Sequence, residues 1–224
     1  MADAPEWTLA DVRAALAAGC RVLLMVRHAE RPHMDHDDPT FCEKLALTPA
    51  GIRMSEAYGR ELRTCTDGVQ FLTSPLLRTR QTAAGIARGM GLPDADIPAD
   101  DTLGNTTPYF ADQHAVFELF RDGGFFEKNF VYFKTGEQVG FVNLQVATAR
   151  LEAWCLAQFT GRLGIFTTHD LYNAAFLSAK GVVSEFSEAN WVRFLDAAAI
   201  VLGPDGSRRY AFVRSNIFPS DFAP

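Results

Sequence analysis

The sequence has no apolar run long enough to cross a membrane. Its longer apolar stretches, such as Val22–Val26 and Ala197–Leu202, are far short of the roughly 20 residues that a span requires. It has no lysine- or arginine-rich tract, and its net charge is −6, so neither nucleic acid nor an anionic membrane surface is an expected partner. Repeats and low-complexity tracts are absent. The four cysteines (Cys20, Cys42, Cys65 and Cys155) are widely spread and form no CxxC pair. They read as reduced thiols rather than as a disulfide framework. No HExxH or similar ligand spacing occurs, so neither a metal nor another cofactor is expected. Met1–Pro5 lacks a positive segment leading into a long apolar stretch, which makes cytoplasmic residence the default expectation.

What is present fits one globular domain carrying an inserted cap. The 224 residues are 48% hydrophobic and 21% charged, and 18 phenylalanines supply bulk for a core. The same phenylalanines would suit a homodimer interface equally well. Thr8 is placed to cap a helix with Leu9, Val12 and Leu16 on one face, Asp11 three residues after the cap and Gly19 as the stop. Val22–Val26 is a continuous apolar run, the pattern of a strand covered on both faces. A polar stretch from Arg31 to Leu47 reads as a loop. Thr48-Pro49 then opens a helix with Met54, Tyr58 and Leu62 in step. Val69–Thr73 is a second buried strand, followed by Ser74-Pro75 and a helix from about Thr79 to Met90.

Residues 91–143, rich in Phe, Pro and Gly, break the alternation and are read as the cap. Regularity returns with a helix through Leu144, Ala147, Leu151 and Trp154, then a strand at Leu163–Thr167. A closing hairpin of Ala198–Leu202 and Arg209–Val213 adds an antiparallel edge. The fold class is therefore α/β, a three-layer α/β/α sandwich with a mainly parallel sheet.

Three strand ends carry charge: Arg27-His28, Ser74-Pro75-Leu76-Leu77-Arg78 and His169-Asp170. In an open α/β sheet the ligand crevice lies outside the carboxyl ends of parallel strands, so these segments should meet there. With Arg31 added, the crevice holds three guanidiniums and two imidazoles, a set suited to a dense anion such as phosphate. A neutral imidazole beside bound phosphate can attack phosphorus. Cations around it keep it neutral and stabilise the oxygens during transfer. A leaving alkoxide needs a proton, for which Asp170 is the first candidate and Glu30 the second.

At these residues the chain resembles the histidine phosphatase superfamily, which includes phosphoglycerate mutases, acid phosphatases and phytases. Arg27-His28-Ala29-Glu30-Arg31 is similar to its Arg-His-Gly signature, and Leu47-Thr48-Pro49-Ala50-Gly51 to its Leu-Thr-x-x-Gly segment. Ser74 to Ala83 is similar to its Ser-x-x-x-Arg-x-x-x-Thr-Ala element, and Thr168-His169 to its second histidine. The resemblance spans roughly residues 21–90 and 163–180. It implies His28 as the phosphorylated residue, with Arg27, Arg78 and His169 holding phosphoryl oxygens. Arg31 and the His169-Asp170 pair match the acid phosphatase branch, whose Asp donates the proton. Ala29 departs from the family's Gly, which implies tighter packing. No Glu lies between Arg78 and Glu118, so the mutase-like branch's acid has no counterpart.

The implied activity is metal-independent hydrolysis of a small phosphorylated substrate through a phosphohistidine. A phosphomutase and a noncatalytic phospho-ligand binding module are the alternatives. A pure binder has no need of His28, His169 and an acid together. Asp170 could also cap a helix starting near Tyr172. The cluster His33, Asp35, His36, Asp37 and Asp38 has irregular spacing and reads as a solvated loop rather than a metal site. His114 reads as structural or exposed.

Overall fold

The computed structural model describes residues 5–34, 38, 42–104 and 108–222. Asp35, His36 and Asp37 of the polar loop therefore lie outside the described residues. In chain order the strands are β1 (Trp7–Thr8), β2 (Arg21–Arg27), β3 (Val69–Thr73), β4 (Leu163–Thr168), β5 (Ala197–Leu202) and β6 (Arg208–Arg214). The helices are α1 (Leu9–Ala17), α2 (Pro49–Glu61), α3 (Leu77–Met90), α4 (Gln113–Arg121), α5 (Phe125–Thr135), α6 (Leu144–Gln158) and α7 (Asp170–Ala179).

The strands form one sheet in the order β1-β6-β5-β2-β4-β3. β2, β4 and β3 run parallel, as do β1 and β6, while β5 is antiparallel to both β2 and β6. The hairpin of β5 and β6 forms as its Gly203-Pro204-Asp205-Gly206 turn suggests, but it is not the sheet edge. β5 pairs with the central β2, and the outermost position falls to β1, whose two residues pair with Val213 and Arg214. Two residues carry no readable alternation, so this strand was not expected from the sequence.

Side-chain alternation along β2 divides the interior. Leu23 and Met25 face a core built from α6, α7 and the apolar sides of α4 and α5. Val22, Leu24 and Val26 face a second core under α1, α2 and α3. The result is a three-layer α/β/α sandwich whose central strand is fully covered. Local signals set several helix starts. The Thr8 amide and hydroxyl both donate to Asp11 Oδ2, at 2.7 and 2.8 Å. Thr48 Oγ1 accepts from the Gly51 amide at 2.9 Å, with Pro49 in the first turn. Gly51 is needed for packing as well, because a Cβ there would lie 2.1 Å from the Glu30 carbonyl oxygen. That contact seats the start of α2 against the chain leaving β2.

α2 and α3 approach through glycines. A Cβ on Gly59 would meet Ile86 O at 2.1 Å, and one on Gly89 would meet Glu56 O at 2.1 Å. Both obstacles are backbone and cannot swing away. Gly59→Ala is accordingly expected to force the helices apart and cost about 1–3 kcal/mol, read as a lower urea midpoint with an unchanged m-value.

Candidate active site

The register of the parallel strands assembles the site. Arg27 pairs with Thr168 across β2 and β4, and Thr73 pairs with Thr167 across β3 and β4. The next residues, His28, His169 and Ser74, therefore leave the sheet side by side. The rings of His28 and His169 lie 5.6 Å apart, edge to face. His169 Nε2 lies 3.2 Å from Ser74 Oγ, which in turn lies 2.7 Å from Thr79 Oγ1. Gly104 closes this corner: a Cβ there would crowd Ser74 Cβ at 2.8 Å and His169 Nε2 at 3.2 Å.

His28 is almost wholly buried. Its Nδ1 lies 2.8 Å from Ala29 O. A carbonyl can only accept, so Nδ1 carries the proton and Nε2 keeps its lone pair. The Ala29 amide donates to Thr82 Oγ1 at 3.0 Å. The Thr of the Thr-Ala segment thus fixes the backbone that orients the histidine.

Around His28 stand three arginines. Arg27 donates to the Val192 carbonyl, pairs with Asp170 Oδ2 at 2.9 Å and lies 4.5 Å from the Phe194 ring centre. Its buried Nε has no partner among the described residues, and the same holds for Arg31 Nε. Arg78 donates to Cys42 O at 2.9 Å. It sits in the first turn of α3, which begins two residues before the expected Thr79, with Leu76 as its extended cap residue. All three arginines, both histidines and Asp170 line one cavity of about 570 Å³.

Two sequence expectations shift. Asp170 is not the cap of a helix near Tyr172: α7 begins at Asp170 itself, His169 holds the cap position, and Asp170 Oδ1 accepts from the Leu171 amide at 2.9 Å. Glu30, the second candidate acid, is outside the cavity lining, and its carboxylate accepts a hydrogen bond from the Thr48 hydroxyl instead.

Residues 181–196 carry no motif readable in the sequence. That segment supplies Trp191, whose Nε1 donates to Asp170 Oδ2 at 3.2 Å, and Phe194, which packs on both Arg27 and His28. It is anchored by fully buried Asp196, which accepts from Arg214 Nη1 at 2.7 Å and from the Arg193 and Ser215 amides. Leu195, between these groups, has a φ of 64°, a conformation costly for a branched residue and held by its surroundings. No periodicity marks this stretch in the sequence.

Residues 23–104 match the family model of the histidine phosphatase superfamily (branch 1). No curated protein matches the sequence. Among solved structures, the chain is similar to the mycobacterial glucosyl-3-phosphoglycerate phosphatase, at 18% identity and a TM-score of 0.55, covering 89% of this chain and 100% of that one. It is also similar to a phosphoglycerate mutase from Bacillus anthracis, at 14% identity and a TM-score of 0.55, covering 90% and 94%. A phosphoserine phosphatase from Entamoeba histolytica aligns at 17% identity and a TM-score of 0.52, covering 87% and 98%. At these identities the likeness is one of fold.

Electrostatics at this site follow from burial and crowding of like charges. Burial first, then Arg27, His169 and Arg78, push His28 well below the ordinary histidine value. Burial and Arg78 do the same to His169, against the pull of Asp170. Arg78 is lowered to about 10 by burial and by Arg31, and stays charged at neutral pH. Burial pushes Asp170 up, but Arg27, the Trp191 indole, His169 and the Leu171 amide outweigh it and hold the carboxyl below its usual range.

A pH dependence of stability results. In the unfolded chain both histidines take up protons near 6.5, whereas in the fold they do so only at lower pH. Below that value the unfolded state binds more protons, so stability decreases as the pH is lowered, by up to about 1.4 kcal/mol per pH unit for each histidine. Urea unfolding at pH 7, 6 and 5 should show this slope, and it should shrink in His169→Gln.

Proposed function

We propose that this protein is a metal-independent phosphomonoester hydrolase whose His28 Nε2 is phosphorylated in turnover. The observation that carries the reading is the His28 Nδ1 to Ala29 O hydrogen bond, which presents an unprotonated Nε2 among three guanidiniums. Substrate phosphate binds to Arg27, Arg31, Arg78 and His169, with the unpartnered Nε atoms of Arg27 and Arg31 as ready donors. The Nε2 lone pair attacks phosphorus in line with the ester oxygen, forming the N–P bond as the P–O bond breaks.

Asp170 gives the leaving oxygen its proton, and the resulting carboxylate then takes a proton from the water that hydrolyses the phosphohistidine. In the free site Arg27 keeps Asp170 ionised. A phosphate dianion competes for that guanidinium and adds negative charge nearby, and both effects raise the carboxyl toward its protonated form. The arginines supply the positive charge that metal ions provide in other phosphoryl-transfer sites. Residues 91–143, with α4 and α5, act as the cap of a single domain.

A phosphomonoester such as p-nitrophenyl phosphate should be hydrolysed at full rate in EDTA. Quenching during turnover should trap a phosphoenzyme that is stable to alkali and labile to acid, as a P–N bond is. Dependence on an added divalent metal, or a phosphoenzyme with the opposite stability, would overturn the reading.

A further inference from the structure

The cavity above His28 has two unlike ends. One holds the cations; the other is walled by Phe110, Phe117, Phe120, Phe125, Phe126 and Trp191. The rings interlock: Phe125 and Phe126 lie 5.6 and 5.3 Å from Trp191, with interplanar angles of 79° and 85°. Trp191 joins the two ends, since its Nε1 bonds the Asp170 carboxylate while its ring belongs to the aromatic wall. A proton donor must sit beside the leaving oxygen, so whatever that oxygen is attached to meets Trp191 and the phenylalanines next.

Among the described residues the wall is poor in polar partners. Apart from the phosphate end, the charged or polar side chains among its described residues are His33 and Asp38 on the loop, Tyr172, and Arg121, whose guanidinium is bridged to Glu118 at 2.8 Å. A polyol or sugar acid placed against the rings would lose water from hydroxyl or carboxylate groups without replacement, a cost that an apolar group does not incur. Planar rings, in contrast, complement edge-to-face aromatic walls. The cavity's roughly 570 Å³ is a volume that encloses a ligand well beyond the size of phosphate.

Resting on the phosphohydrolase reading, we propose that the substrate class is the phosphomonoester of a bulky, uncharged alcohol bearing a flat apolar ring system, and not a sugar or sugar-acid phosphate. Phe117, Phe125, Phe126 and Trp191 are its selectivity residues.

Phosphonates test this without turnover, because their C–P bond is not hydrolysed. Calorimetric titration should find 3-(2-naphthyl)propylphosphonate bound about a hundredfold more tightly than 2,3-dihydroxypropylphosphonate, given that even small apolar differences in such pockets discriminate tenfold or more. Phe117→Ser, and independently Phe126→Ser, should cut that ratio to about tenfold or less, with folding checked by circular dichroism. Equal affinities, or a preference for the dihydroxy compound, would overturn the proposal. So would octylphosphonate binding as tightly as the naphthyl compound, which would make the pocket a chain site. Failure of the hydrolase reading would show separately, as absence of p-nitrophenyl phosphate hydrolysis. Hydrolysis without phosphonate discrimination would remove the substrate class alone.

Discussion

His28→Ala is expected to lower kcat for p-nitrophenyl phosphate by at least about 10⁴-fold, because it removes the proposed nucleophile and no neighbour can replace it. His169 is the nearest imidazole, but its Nε2 is within 3.2 Å of Ser74 Oγ and is crowded by Arg78. The chain should still fold. The His28 amide bond to Thr168 O is made by backbone and survives the substitution, and the cavity wall loses only one ring. The variant should still bind phosphate or vanadate, since Arg27, Arg31 and Arg78 remain, and binding without turnover would separate the nucleophile from the anion site. Retention of a tenth of the wild-type rate would remove His28 from the reaction.

Asp170→Asn is expected to slow an alkyl phosphate about 10²- to 10⁴-fold, the range for a positioned general acid. p-Nitrophenyl phosphate should slow far less, because its leaving group departs without a proton. The comparison is informative because Asp170 has a second role in the structure. Its Oδ2 receives both Arg27 and Trp191, so the carboxylate also positions the arginine beside the nucleophile. An amide keeps an acceptor oxygen for one of these donors but loses the charge. If Asp170 acts only through Arg27, both esters slow equally and KM rises for each, whereas proton donation gives a loss in kcat that grows with leaving-group basicity. Because Arg27 and its neighbours hold the free carboxyl below its ordinary range, kcat/KM for the alkyl ester should rise as pH falls from 7 to 5. His28, held neutral by burial, takes up no opposing proton until lower pH.

Much of this architecture is legible in the sequence. Val22–Val26 reads as a doubly covered strand, Thr48-Pro49 as a helix start, and charge at the ends of Val22–Val26, Val69–Thr73 and Leu163–Thr167 predicts a crevice at one end of a parallel sheet. These are local signals: continuous burial, a capping hydroxyl, and the fixed direction of a strand. The family resemblance rests on the same short segments, and residues 23–104 of the family match cover three of them. Where local chemistry was ambiguous, boundaries moved, as when α3 began at Leu77 and α7 at Asp170.

What only the tertiary structure decided is how the charges are partnered. The sequence offers Asp170, next to His169, as the first candidate acid and Glu30, two residues after His28, as the second; folding seats Glu30 on Thr48 and Asp170 between Arg27 and Trp191. Trp191 and Phe194 carry no periodic or motif signal. They reach the site because Arg214, on β6, binds buried Asp196 and the Trp191 carbonyl and folds residues 190–196 over the end of β2. Strand ends and helix starts depend on neighbours a few residues away along the chain. Ionisation and recognition depend on pairs that share no local stretch of chain, such as Arg27 with Asp170 and His28 with His169, and separation in sequence says nothing of distance in space.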